Sequence, residues 1–158
     1  MAIPLIEHVR IQAQVLVPLV KALQAELGEE RANDIVRKAL GDLYRKSGEE
    51  WWRKQGKRGL GEKMAAAFDT FAAGDALDCE VVRQDAETFE VNVTGCRYAR
   101  FYEEMGAPEL GFLLTCSADF FLAEGYGTDV QLTRTQTIMQ GASHCDFRYK
   151  VKKGPDAP

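Results

Sequence analysis

Long apolar runs are missing from this sequence. No stretch of 18 or more residues is free of polar and charged side chains, so no membrane-spanning helix is expected. The N-terminus lacks the basic segment and following apolar segment of a secretory signal, which makes the cytoplasm the expected location. An excess of positive charge is missing too. Twenty Lys and Arg stand against 24 Asp and Glu, a net charge of −4, which argues against phosphate-backbone binding and so against a nucleic-acid partner. The one basic cluster, Arg53, Lys54, Lys57 and Arg58, is flanked by Glu49, Glu50 and Glu62 and reads as a solvated helix face. Histidines number two and cysteines four. No two cysteines form a C-x-x-C pair, and their spacing fits neither a zinc finger nor a ribbon. No metal and no cofactor are expected. In a reducing compartment Cys79, Cys96, Cys116 and Cys145 should be free thiols.

What is present suits one globular domain over residues 1–158, because 46% hydrophobic content in a chain of this length can build one core. Residues 1–74 read helical. Ile6, Val9, Ala13, Leu16, Val20, Leu23 and Leu27 recur at three- and four-residue steps, with Pro18 expected to kink or split the helix and Gly28 to end it. A second helix carries Ile35, Val36, Ala39, Leu40, Leu43 and Tyr44 on one face and is expected to end near Ser47–Gly48. A short third helix would hold Trp51 and Trp52 half-buried. A fourth places Leu60, Met64, Ala67, Phe68 and Phe71 on one stripe and ends at Gly74.

The pattern changes over residues 75–153. DCEVVR and TFEVNVTG read as two strands joined by a turn, the second with Phe89, Val91 and Val93 on one face. A short helix RYARFYEEMG follows. Pro108 opens another, expected to run to Gly125. VQLTRTQTIMQG and HCDFRYKVKK then read as a hairpin turning near Gly141–Ser143, and residues 154–158 as a loose tail. Helices followed by antiparallel strands give an α+β fold.

Chemistry-bearing side chains concentrate in this second half. His8, on the first helix, reads as a surface histidine. Cys116 and Asp119, three apart on a predicted helix, share an inward-leaning face. A buried acid is costly unless paired. Asp119 therefore either pairs with an arginine such as Arg97, Arg134 or Arg148, or serves a ligand as binding group or base. Cys145 falls on the inward face of its strand with Phe147 and Tyr149. His144, Asp146 and Arg148 fall on the other face, which argues against a Cys145–His144 couple. Cys145 is then either a small core residue or part of a pocket. Cys96, at a strand-to-helix junction, sits where a helix dipole favours a thiolate.

The stretches GCRYARFYEEMGAPELGFLLTCSADFFLAEG and LTRTQTIMQGASHCDFRY resemble the L-2-amino-thiazoline-4-carboxylic acid hydrolase family. The resemblance rests on Cys96, Tyr98 and Ala99; Glu109–Leu110–Gly111; Cys116 with Asp119; Gly125; Arg134–Thr135; and Gly141 with Cys145–Asp146–Phe147–Arg148. It covers about 55 residues from Gly95 to Tyr149. It implies hydrolysis of a C–N bond in a small cyclic amidine, amide or urea-like substrate. On that reading Cys116, or else Cys145, is the nucleophile and Asp119 or His144 handles the proton. Arg134 or Arg148 grips a substrate carboxylate, and Cys96, Tyr98 and Asp146 help form the site. The G-x-x-x-C-x-F ending is also similar to sensory domains of vinyl-reductase type. Those domains share a fold with haem-NO and Golgi-transport (TRAPP) domains, in which helices come first and a twisted antiparallel four-stranded sheet after. This keeps a non-catalytic small-molecule-binding domain as the alternative. The apolar first helix could also serve as a homo-oligomer interface.

Overall fold

The computed structural model describes residues 2–153, so the expected tail at 154–158 lies outside the described residues. Helix α1 (Leu5–Leu27) is continuous through Pro18, whose ring is on the exposed side, and stops at Gly28 with φ +84°. The expected split does not occur.

Helix α2 (Glu29–Lys54) corrects a second expectation. It does not end near Ser47–Gly48 but continues through Trp51 and Trp52, absorbing the separate helix expected there. Glu29 and Glu30 in its first turn and Arg53 and Lys54 in its last complement the helix dipole. Gly48 is a contact residue here rather than a stop. A Cβ at Gly48 would fall closer than 3.0 Å to the Leu122 carbonyl oxygen of helix α6 (Ala118–Tyr126), and one at Gly125 of α6 would meet the Arg45 carbonyl of α2 as closely. The missing side chains let the two helices approach at backbone distance. Gly48→Ala therefore sets two effects against each other. Helix propensity gains about 1 kcal/mol, while forcing the helices apart costs about 1–3 kcal/mol. The contact is to backbone, which cannot swing away, so the net expectation is a loss of about 1–2 kcal/mol, read from urea unfolding.

Helix α3 (Leu60–Ala72) buries Leu60, Met64, Ala67 and Phe68 against the sheet. Strands β1 (Leu77–Gln84) and β2 (Thr88–Cys96) pair through a tight turn, then helix α4 (Arg97–Glu104) and the single turn α5 (Pro108–Gly111) follow. The helix expected from Pro108 to Gly125 is interrupted. Phe112–Cys116 winds as a π-helix, with the Ser117 N–H reaching the Phe112 carbonyl at 2.9 Å, before α6 resumes and ends at Tyr126. Strand β3 (Val130–Thr133) and strand β4 (Cys145–Val151) complete an antiparallel sheet of order β1-β2-β4-β3. The expected long strand of the last hairpin is cut to four residues. From Thr135 onward the N–H groups turn to the Asp146 carboxylate instead of a strand partner, and Ile138–Gln140 forms a 3₁₀ turn.

The architecture is α+β, with helices packed against a four-stranded antiparallel sheet. Phe89, Val91 and Val93 of β2 and Cys145, Phe147 and Tyr149 of β4 face inward, as their alternation predicts. Two apolar clusters meet at Leu77 and Cys96. One lies under α1, α4 and the π-helix, the other between the sheet, α3 and α6. Among the described residues no helix is long and apolar enough to cross a membrane.

Candidate functional site

A cavity of about 740 Å³ lies where the two clusters meet, enclosed by α1, α2, α3, the inner face of the sheet, α4, the π-helix and α6. A shallower depression over the α1–α2 turn is lined by exposed Glu29, Glu30, Arg31, Asp34 and Lys38 and brings no candidate residue with it. Most of the deep cavity wall is apolar. Its polar groups are Asp119 of α6, Thr115 and Cys116 of the π-helix, Arg134 of the segment after β3, the thiols of Cys96 and Cys145, the hydroxyls of Tyr44, Tyr98, Tyr102 and Thr137, and Gln12 of α1. Asp119, Cys116 and Arg134, in direct contact, mark its polar end.

Arg134 organises that end. Its side chain is 2% exposed, and Nη1 donates to Asp119 Oδ2 at 2.7 Å and to the Cys116 carbonyl at 3.1 Å. The guanidinium carbon is 4.9 Å from the Phe120 ring centroid and 5.3 Å from that of Phe147. Of the three arginines able to pair with Asp119, this is the one the fold brings to it. The π-helix matters here, because its extra residue per turn shifts Cys116 and its carbonyl relative to α6. Among the described residues no protein hydrogen bond uses Nε or Nη2 of Arg134 or Oδ1 of Asp119, and no fully buried side-chain nitrogen or oxygen lacks a partner. Both side chains line the cavity, Arg134 at 2% and Asp119 at 21% exposure, so the carboxylate is the more accessible of the two.

Enclosure sets the electrostatics. Burial raises Asp119 from an ordinary 3.8 to about 6, against the opposing pull of Arg134. Burial pushes the Cys116 thiol well above its ordinary value, reinforced by the Asp119 charge. It also raises Cys96 and Cys145, although the thiol of Cys96 accepts the Ala99 N–H at 3.4 Å and that of Cys145 the Ile138 N–H at 3.2 Å. At neutral pH the unliganded cavity thus holds a mostly ionised acid beside three protonated thiols.

The raised Asp119 has a consequence for stability. Between pH 3.8 and about 6 the folded protein binds a proton that the unfolded chain has released, so stability falls as pH rises through that window. The component due to Asp119 is on the order of 3 kcal/mol. It is read as the difference in unfolding free energy between wild type and Asp119→Asn, measured at pH 4 and pH 7. A difference that does not change with pH would contradict the assignment.

The sequence candidates divide cleanly. Cys96, Tyr98, Cys116, Asp119, Arg134 and Cys145 line the cavity, with the Tyr98 hydroxyl donating to the Phe71 carbonyl at 2.9 Å. His144, Asp146 and Arg148 do not. His144 Nδ1 lies 2.9 Å from the Ser143 hydroxyl. Asp146 clamps the loop, accepting from Thr135 N at 2.8 Å, Thr135 Oγ1 at 2.5 Å and Gln136 N at 3.0 Å. Burial alone would raise this carboxyl, but those hydrogen bonds prevail and hold it below the ordinary range. Arg148 donates to the Val91 and Phe147 carbonyls and to Asn92 Oδ1. Asp146 thereby works indirectly, holding the segment that carries Arg134. Sequence reasoning missed Tyr44 and Thr115. Tyr44 was assigned to an apolar helix face, and no pattern announces a π-helix. Among the described residues no group of three or more His, Cys, Asp or Glu could hold a metal ion.

The fold resembles the phenol-responsive sensory domain of the transcription activator PoxR, solved with phenol. The TM-score is 0.54 at 14% identity, over 87% of this chain and 73% of that one. No curated protein matches the chain. A family model does, over residues 8–149, a span that runs from within α1 to within β4 and includes Cys96, Cys116, Asp119, Arg134 and Cys145. The chain belongs to the L-2-amino-thiazoline-4-carboxylic acid hydrolase family.

Proposed function

We propose that the chain is a hydrolase that opens a C–N bond in a small cyclic amidine bearing a carboxylate. One observation carries the reading. An acid and a cation are joined through one atom each, both line the same cavity, and each keeps polar atoms that no protein group uses. The free Nε and Nη2 edge of Arg134 suits a substrate carboxylate in a two-pronged grip. The free Asp119 oxygen suits the amidine, which carries N–H groups.

A water molecule attacks the amidine carbon and Asp119 takes its proton, with the C=N electron pair moving to nitrogen. Asp119 gives that proton to the ring nitrogen. The centre then collapses to a carbonyl as the ring C–N bond breaks with its electron pair on nitrogen, and the remaining hydroxyl proton passes through Asp119 to the released amine. An acid with a pKa of about 6 is ionised at neutral pH yet close enough to it to return the proton. A cysteine nucleophile, with Cys116 first, is the competing route. It requires Asp119 to deprotonate a thiol that burial holds neutral. The test is turnover by purified protein on a panel of cyclic amidines, ureas and lactams that includes the aminothiazoline carboxylate. Ring opening of one member supports the hydrolase reading. Saturable binding without turnover supports the second reading, a ligand-binding domain, which the fold of the phenol-responsive sensory domain favours.

A further inference from the structure

The cavity is much larger than the head group that its polar end would hold. About 740 Å³ lies within the range of sites that enclose drug-sized ligands. A single ring with a carboxylate, bound at Asp119 and Arg134, would leave most of that space against apolar wall. The apolar lining includes Leu40, Phe71 and Leu114, and on α1 and α2 it takes in Leu16, Ile11, Val15 and Leu43. These last three line the cavity and are also 54%, 66% and 54% exposed, so the apolar lining opens to solvent between α1 and α2. Water in such a space finds few polar partners, and an exposed apolar rim without a cover is unfavourable. One occupant would resolve both.

We propose that the natural substrate is an amphiphile, whose polar head binds at Asp119 and Arg134 and whose apolar substituent runs between α1 and α2 to the rim of Ile11, Val15 and Leu43. The head rests on the hydrolase reading; the apolar substituent is inferred from the walls. Its chemical class is a cyclic amidine or related ring carrying an alkyl or aryl chain.

The experiment is a chain-length series. Aminothiazoline carboxylates bearing hydrogen, butyl, hexyl or phenylpropyl on the exocyclic nitrogen are titrated into the protein, and their turnover is followed. Alkanols of matching length serve as probes without the head. The expected result is affinity for the ring series rising about three- to fourfold per methylene. The gain shrinks most for the longest chains in Val15→Gln and Leu43→Gln, both exposed positions whose substitution leaves the fold intact. Parent ring bound and opened with no gain from any chain overturns the amphiphile and leaves the hydrolase reading standing. Alkanols bound with the same gain per methylene, with no ring bound or opened, support the apolar channel and overturn the hydrolase reading. A gain that Val15→Gln and Leu43→Gln leave untouched at every length overturns the assigned path.

Discussion

Replacing Asp119 by asparagine should lower kcat/KM for the proposed ring opening about 10²- to 10⁴-fold, the usual contribution of a positioned acid or base. The amide still accepts the Arg134 Nη1 hydrogen bond, so the geometry of the pair is retained. What is lost is the ability to take a proton from water and return it to nitrogen. The drop should therefore appear in kcat rather than in KM. The profile against pH makes the assignment specific. Wild-type activity falls on the acid side with an apparent pKa of about 6, because protonated Asp119 is no longer a base. A residue of merely structural importance would give neither the kcat loss nor that acid limb. The variant leaves Arg134 as a buried cation without a counter-charge, so a thermal melt belongs beside the kinetics.

The second large effect comes from the other half of the pair. Arg134→Leu should cost about 3–5 kcal/mol of stability at pH 7, the usual penalty for stranding one member of a buried ion pair. The guanidinium is 2% exposed and lies near the rings of Phe112, Phe120 and Phe147, so its removal leaves the Asp119 carboxylate without its counter-charge. The cost is lower at pH 5, where Asp119 takes a proton and the stranded charge disappears. Arg134→Lys keeps the charge but not the planar guanidinium that reaches Asp119 and the Cys116 carbonyl together. Urea unfolding at the two pH values checks both statements. A loss below 1 kcal/mol at pH 7 would mean that the pair is solvated rather than enclosed. For the folded Arg134→Lys protein, KM should rise for carboxylated rings and change little for rings without a carboxylate.

Local periodicity carried most of the fold. The alternation of Phe89, Val91 and Val93 and of Cys145, Phe147 and Tyr149 fixed which strand faces lie inward, and both are observed. Gly48 misled for a physical reason. A glycine that ends a helix and one that lets a second helix approach read alike in a single sequence, and only the Leu122 carbonyl distinguishes them. The same holds for Gly125. The π-helix at Phe112–Cys116 left no local trace in the apolar periodicity, which reads there as ordinary α-helix.

The site was legible in part. Asp119 stood out as an acid on an inward face, and Arg134 was one of three arginines that could meet it. The choice among the three depends on the loop after β3, which Asp146 holds by its grip on Thr135 and Gln136. Asp146 and Arg148 belong to the same motif as Cys145, yet strand alternation sends them to the opposite face of the sheet. A motif can thus mix residues that line a cavity with residues that hold those residues in place.

The measurement that tests the central claim most directly is ring opening of 2-amino-thiazoline-4-carboxylate by wild type, Asp119→Asn and Cys116→Ser under one set of conditions. The account predicts that Cys116→Ser keeps activity within about tenfold of wild type, while Asp119→Asn loses at least about a hundredfold. Activity abolished in Cys116→Ser and preserved in Asp119→Asn would contradict it and return the chemistry to the thiol.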